Sequence, residues 1–144
     1  MTRPVLLDTH VWVWLMLGDN RLGSASRRML EKAVPDGLLR VSVISVWEVA
    51  MLEAKGRLTL AADCESWVRE ALAAPGVRLA ELTPHIAISS TRLPGVFHGD
   101  PADRMLIATA RESDATLLTA DQAILQYGRE GYVHAVRAKP SSGT

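Results

Sequence analysis

Pro4-Val-Leu-Leu-Asp8 and Ala115-Thr-Leu-Leu-Thr-Ala-Asp121 decide the fold. Each is a short apolar run that ends on an acid, and neither alternates polar with apolar residues. A strand with one wet face alternates with a period of two, so these runs predict strands covered on both faces. Leu39-Arg-Val-Ser-Val43 and Val77-Arg-Leu-Ala-Glu-Leu82 are weaker strand candidates. Helical stretches lie between them: the apolar segment after Thr9 and His10, Ser24 to Ala33 with Ala25, Met29 and Ala33 four apart, Ser45 to Lys55, Asp63 to Ala73, Pro101 to Glu112, and a short one from Gln122 to Tyr127. Pro35-Asp-Gly37, Pro75-Gly76 and Pro94-Gly95 punctuate them as turns. Strands alternating with helices predict an α/β protein, a three-layer α/β/α sandwich with a central, mostly parallel sheet. Ligands of such folds bind at the carboxyl ends of the strands, where strand order reverses.

The 144 residues suit one domain able to bury its own core, with no internal repeat. We expect it over residues 1–138, with a flexible tail at 139–144 (Lys-Pro-Ser-Ser-Gly-Thr). Sixteen Lys plus Arg balance sixteen Asp plus Glu, so no global basic field advertises a nucleic-acid ligand, although a neutral enzyme can still present a positive rim to phosphate. The single Cys64 has no second Cys to pair with and argues neither for secretion nor for zinc. The most apolar stretch, Val11 to Leu17, is far shorter than the roughly 20 residues of a membrane span. It also lacks the features of a signal peptide, which points to the cytoplasm.

Four acids recur at strand ends or in the first turns of helices: Asp8, Glu48, Asp103 and Asp121. Each has an ordinary explanation. Asp8 and Asp121 can cap the helices that follow them. Ser45-Val-Trp-Glu48 has the spacing of a capping box, in which Glu48 would fold back onto the backbone. In Asp100-Pro-Ala-Asp103, Asp100 can cap, Pro101 suits the first helical position, and Asp103 favours the helix dipole. Those explanations give no reason for all four to gather on one edge of a parallel sheet. Converging carboxylates repel one another unless a cation neutralises them, and hard divalent ions such as Mg²⁺ or Mn²⁺ prefer oxygen ligands.

Val5-Leu-Leu-Asp-Thr-His10, Ile44-Ser-Val-Trp-Glu-Val-Ala50 with Lys55-Gly-Arg-Leu58, His98-Gly-Asp-Pro-Ala-Asp-Arg-Met-Leu-Ile-Ala108 and Leu117-Leu-Thr-Ala-Asp121 together resemble PIN-domain ribonucleases, most of all the VapC toxins of bacterial type II toxin-antitoxin pairs. The likeness spans nearly the whole chain, in order. It implies a Mg²⁺- or Mn²⁺-dependent endoribonuclease whose catalytic and metal-binding acids fall on Asp8, Glu48, Asp103 and Asp121. It also implies an RNA substrate, a cognate antitoxin that occludes the site, and a homodimer. Asp103 matches the family acid better than Asp100, which is left as an auxiliary acid or only a cap. Ala102 stands where the family often carries an aromatic, which bears on packing or partner contact.

Around these acids, Thr9 and Thr119 could hydrogen-bond a carboxylate or merely cap a helix. Arg104 could reach a phosphate or be a solvated surface residue. Structural roles are expected for His10 and His98, since a metal-assisted hydrolysis requires neither. Arg27 and Arg28, with Lys55 and Arg57, could form an RNA-facing rim or simple polar helix faces. The all-round apolar run Val11 to Leu17 predicts either a buried helix or a surface for a dimer or antitoxin. Two rival functions stand beside the nuclease. A haloacid dehalogenase-type phosphatase would want an acid where His10 stands, and a non-catalytic PIN-like binding module would not need four intact acids. A receiver-type domain would want adjacent acids near the first strand, which are missing.

Overall fold

The apolar runs around Leu6 and Leu117 lie side by side and parallel, with Val5 opposite Thr116, Leu6 opposite Leu117 and Leu7 opposite Leu118. The computed structural model describes residues 3–139. Its elements are β1 (Val5–Leu7), α1 (Thr9–Leu17), α2 (Ser24–Ala33), β2 (Leu39–Ser42), α3 (Val43–Ala54), α4 (Cys64–Leu72), β3 (Val77–Ala80), α5 (Pro84–Ser90), α6 (Pro101–Ser113), β4 (Thr116–Thr119), α7 (Gln122–Arg129) and β5 (Ala135–Arg137). The strands form one sheet in the order β3-β2-β1-β4-β5, and every pairing is parallel. The sheet lies between two layers of helices, as a mostly parallel sandwich requires.

The pleat divides the core in two, because successive strand residues face opposite sides of the sheet. Val5, Leu7, Leu39, Val41 and Leu118 join Trp12, Leu30, Val49 and Trp67 on one side. Leu6 and Leu117 join Leu106, Ile107, Ile124 and Tyr127 on the other. Covered on both faces, β1 and β4 have no place for a polar alternate residue, which is why their sequences do not alternate. Most of the Val11–Leu17 run is explained the same way. Val11, Trp12, Val13 and Trp14 are buried, and only Leu17 at the end of α1 is well exposed.

Several expected elements shift at their edges, most consequentially at the junction of β2 and α3. Val43 belongs to α3 and not to β2, because Ser42 caps that helix by accepting from the Ile44 N–H at 3.1 Å. Ser45 is therefore inside the helix, and the capping box proposed for Ser45 and Glu48 does not form. The Pro75-Gly76 turn is held by geometry that only glycine meets: Gly76 has φ +79°, and a Cβ there would lie 2.7 Å from Val34 Cα. The expected tail lies outside the described residues from residue 140 onward.

Because β2 and β4 flank β1 on opposite sides, the chain changes winding direction at β1. The carboxyl ends of β1 and β4 are thus the switch point at which a ligand crevice is expected.

Candidate active site

Asp8 leaves the end of β1 with extended geometry (φ −60°, ψ 154°) and caps α1, its Oδ1 accepting the Thr9 N–H at 2.7 Å. Its other oxygen, Oδ2, accepts the Thr119 hydroxyl at 2.6 Å. Thr119 ends β4, one strand over, and its oxygen also accepts the Asp121 N–H at 3.0 Å. One hydroxyl therefore ties together two of the four acids. Asp121 in turn caps α7 by accepting from the Ile124 N–H at 3.0 Å.

Glu48 is brought in by α3 and points back across the sheet edge. The Thr9 hydroxyl donates to Glu48 Oε1 at 2.5 Å and lies 2.8 Å from the Ser45 hydroxyl, so Ser45 serves as a partner in this network and not as a helix cap. Both threonines hold carboxylates of the site, which resolves the alternative left open by the sequence. Asp103 stands in the first turn of α6, where Asp100 caps the helix by accepting the Asp103 N–H at 2.8 Å. No hydrogen bond to the Asp103 carboxylate is found among the described residues.

These side chains open on a single cleft of about 340 Å³ lined by Asp8, His10, Trp14, Glu48, Asp100, Asp103, Ala120, Asp121 and Lys139. All four acids singled out in the sequence are in it, with Asp100 as a fifth. Burial pushes the Asp8 carboxyl above its ordinary range, opposed by its bonds to Thr119 and Thr9. Burial likewise raises Glu48, with Asp8 and Asp100 adding repulsion and Thr9 working against it. Asp103 is the most perturbed, pushed from 3.8 to about 8 by burial and then by Asp100, Asp8, Asp121 and Glu48. A carboxyl raised by burial and then by four neighbouring acids marks a place where positive charge is missing.

Among the described residues no three or more His, Cys, Asp or Glu side chains already form a group able to hold a metal ion. The chemistry of the donors nonetheless suits a hard divalent cation: every acidic group is an oxygen donor, and water can enter the cleft.

Several other candidates fall elsewhere. Arg104 is neither a phosphate hand nor a solvated arginine, because Nε donates to the Ser90 carbonyl at 2.8 Å and Nη1 to the Phe97 carbonyl at 2.7 Å, pinning the loop before α6. Arg27 is similarly occupied by the Leu22 and Asp19 carbonyls. His98, Arg28, Lys55 and Arg57 do not line the cleft, whereas His10 does, at its exposed rim. Sequence reasoning missed Lys139, assigning it to the tail. It lines the cleft because β5 carries the chain back to the carboxyl edge of the sheet.

Replacing the Thr119 hydroxyl with a methyl frees Asp8 Oδ2 and removes the acceptor of the Asp121 N–H. Thr119→Val is expected to weaken activity or cation affinity by about 10- to 100-fold, the usual effect of losing a group that orients a ligand. Titration of activity against Mn²⁺ checks this, and an unchanged curve would contradict it.

The fold and the gathered acids define a class. The family model described as PIN domain matches residues 5–130, and the chain belongs to the PIN-domain family. It is 38% identical over 120 residues to Ribonuclease VapC22 of Mycobacterium tuberculosis, an alignment covering 83% of this chain and 88% of that protein. Solved structures share the fold. VapBC2 from Rickettsia felis, bound to a DNA fragment from its promoter, superposes with a TM-score of 0.67 at 16% identity, covering 92% of this chain and 97% of that one. A toxin-antitoxin complex from Klebsiella pneumoniae gives 0.61 at 20% identity, covering 92% and 95%.

Proposed function

We propose that this protein is a divalent-metal-dependent endoribonuclease, the toxin of a toxin-antitoxin pair. The observation that carries the proposal is the convergence of Asp8, Glu48, Asp103 and Asp121 on one cleft at the switch point of a PIN-domain sheet. Membership of the family and likeness to a ribonuclease of the VapC type support the same activity. An antitoxin is the partner this reading brings with it, and a homodimer the assembly. No helix among the described residues is long and apolar enough to cross a membrane.

Asp8, Glu48 and Asp103 would hold the principal Mg²⁺ or Mn²⁺, directly or through water, with Asp121 completing the site or orienting the attacking water. When bound, the cation supplies positive charge to the phosphodiester and makes water more acidic. The protein's own residues do the rest. Thr119 and Thr9 hold the Asp8 and Glu48 carboxylates by hydrogen bonds at the wall of the cleft. Asp103, the carboxyl without a hydrogen-bond donor, gives up its proton as positive charge arrives. The N-termini of α6 and α7 open on the same edge and add fields that favour a phosphate. Unpaired stretches of RNA fit an open cleft of this size better than a duplex, whose phosphates are spread over a wide rigid surface.

Attack by water breaks the bond from phosphorus to the 3′ oxygen, so the products are expected to carry 5′-phosphate and 3′-hydroxyl ends. Treating the fragments with a 5′-phosphate-dependent exonuclease checks this. Fragments with 2′,3′-cyclic phosphate ends would instead require an attack by the ribose 2′-hydroxyl and would sink the water mechanism.

A further inference from the structure

The cleft described above poses an electrostatic problem for its substrate. Asp8, Glu48, Asp100, Asp103 and Asp121 all line it, and an RNA phosphate entering meets a wall of acidic side chains. A cation on those acids, as the proposed function requires, would neutralise the floor, yet the phosphates on either side of the cut bond would still need a positive contact. Among the described residues Lys139 is the only lysine or arginine lining the cleft.

Its position is built into the fold. The preceding residue, Ala138, is fully buried and anchored on both sides: its N–H donates to the Thr119 carbonyl at 2.8 Å, and its carbonyl accepts the Gly23 N–H at 2.9 Å and the Ser26 hydroxyl at 3.1 Å. Residue 139 is therefore delivered to the rim by the same strand end, Thr119, that holds Asp8. The Lys139 ammonium lies 5.6 Å from the centre of the Trp14 ring, and the Arg21 guanidinium 5.2 Å from it. These two cations are not equivalent. Arg21 is locked to Asp19 by contacts of 2.7 and 3.2 Å, and the pairing holds the Asp19 carboxyl down at about 2. Lys139 makes no ion pair with a described residue. Its ammonium sits over an aromatic wall that lines the same cleft, with no carboxylate of a described residue paired to it.

We propose that Lys139 is a substrate-binding residue that holds an RNA phosphate next to the cut bond, with the Trp14 ring as the platform that aims it. The inference rests on the nuclease reading, because it assigns one more residue to that site. Lys139 contacts backbone phosphate and so contributes affinity without sequence preference. Its contribution weakens with salt as one counterion-releasing contact.

The test compares the wild-type chain with Lys139→Met, which keeps an unbranched apolar side chain and removes the charge, and with Lys139→Arg. Two readouts are needed: equilibrium binding of a labelled single-stranded RNA oligonucleotide over a range of NaCl, and steady-state cleavage in Mn²⁺. For Lys139→Met the proposal expects binding about ten-fold weaker at low salt, KM raised by a similar factor with kcat nearly unchanged, and a log-log salt slope shallower by about 0.7. Lys139→Arg is expected to restore all three. Wild-type binding and salt slope in Lys139→Met would overturn the proposal. So would a loss confined to kcat, or one that tracks a lowered Tm, since a structural prop for Trp14 would act in that way. A wild-type chain that binds RNA through Lys139 but cuts none would refute the nuclease reading and leave the binding assignment standing.

Discussion

Asp103→Asn is expected to cleave RNA about 10³-fold more slowly than the wild type, roughly 4 kcal/mol of lost transition-state stabilisation. The Asp103 carboxylate receives no hydrogen bond from a described residue and sits among Asp8, Glu48, Asp100 and Asp121, so nothing in folding asks for its negative charge. In the proposed function what asks for it is an incoming cation, and an amide of the same shape cannot supply that charge. The same substitution is expected to stabilise the metal-free protein. Folding raises this carboxyl from 3.8 to about 8, so between those values the folded chain retains a proton that the unfolded chain has released. The group's contribution is fully present below pH 4 and is lost as pH rises towards 8. In EDTA the Tm of Asp103→Asn is therefore expected to pull ahead of the wild type progressively from pH 5 to pH 8. Cleavage within a few-fold of wild type at saturating Mn²⁺ would remove Asp103 from the site, and a Tm gap that closes with rising pH would contradict the account of its burial.

The second large effect is stabilisation by the cation itself. At about 100 times its Kd, a ligand that binds only the folded state adds about 2.7 kcal/mol, and for a chain of this size that raises Tm by roughly 8 °C. The shift should be larger at pH 8 than at pH 6, because the proton on Asp103 must leave before its oxygens can coordinate. In Asp103→Asn most of the shift should vanish. Thermal unfolding with Mg²⁺ or Mn²⁺ added stepwise measures all of this. An identical rise in the two proteins would mean that the cation binds elsewhere on the surface.

Much of the fold was legible because local pattern and tertiary demand agree. β1 and β4 are apolar throughout since both faces are covered, and α2 runs from Ser24 to Ala33, the bounds its four-residue spacing predicts. Where two local signals compete, pairing decides. Ser42 and Ser45 can each cap a helix, and Ser42 prevails because β2 ends there, opposite Ala80 of β3. Helix α5 was overlooked although Thr83-Pro84 carries a legible start, with Thr83 accepting the Ile86 N–H at 3.1 Å. Strand β5 has no comparable signal: it is three residues long, largely exposed, and exists through its pairing with β4.

The candidate site divides along the same line. Asp8, Asp103 and Asp121 were visible as residues ending a strand or opening a helix, Glu48 proves to lie in mid-helix because α3 begins at Val43, and the resemblance to a family joined the four into one set. The links between them were not visible. Thr9 and Glu48 meet across 39 positions, and Thr119 reaches Asp8 across 111. Lys139 was hidden for the reason β5 was hidden, since only that strand returns the chain to the cleft.

Whether these acids hold a metal for RNA cleavage is decided by incubating a mixed pool of structured RNA with purified, antitoxin-free protein in Mg²⁺, Mn²⁺ or EDTA, beside Asp8→Asn. Discrete cuts are expected in the presence of either metal, none in EDTA, and none from a folded Asp8→Asn. Cleavage that persists in EDTA, or that Asp8→Asn performs as fast as the wild type, would contradict that role for the acids.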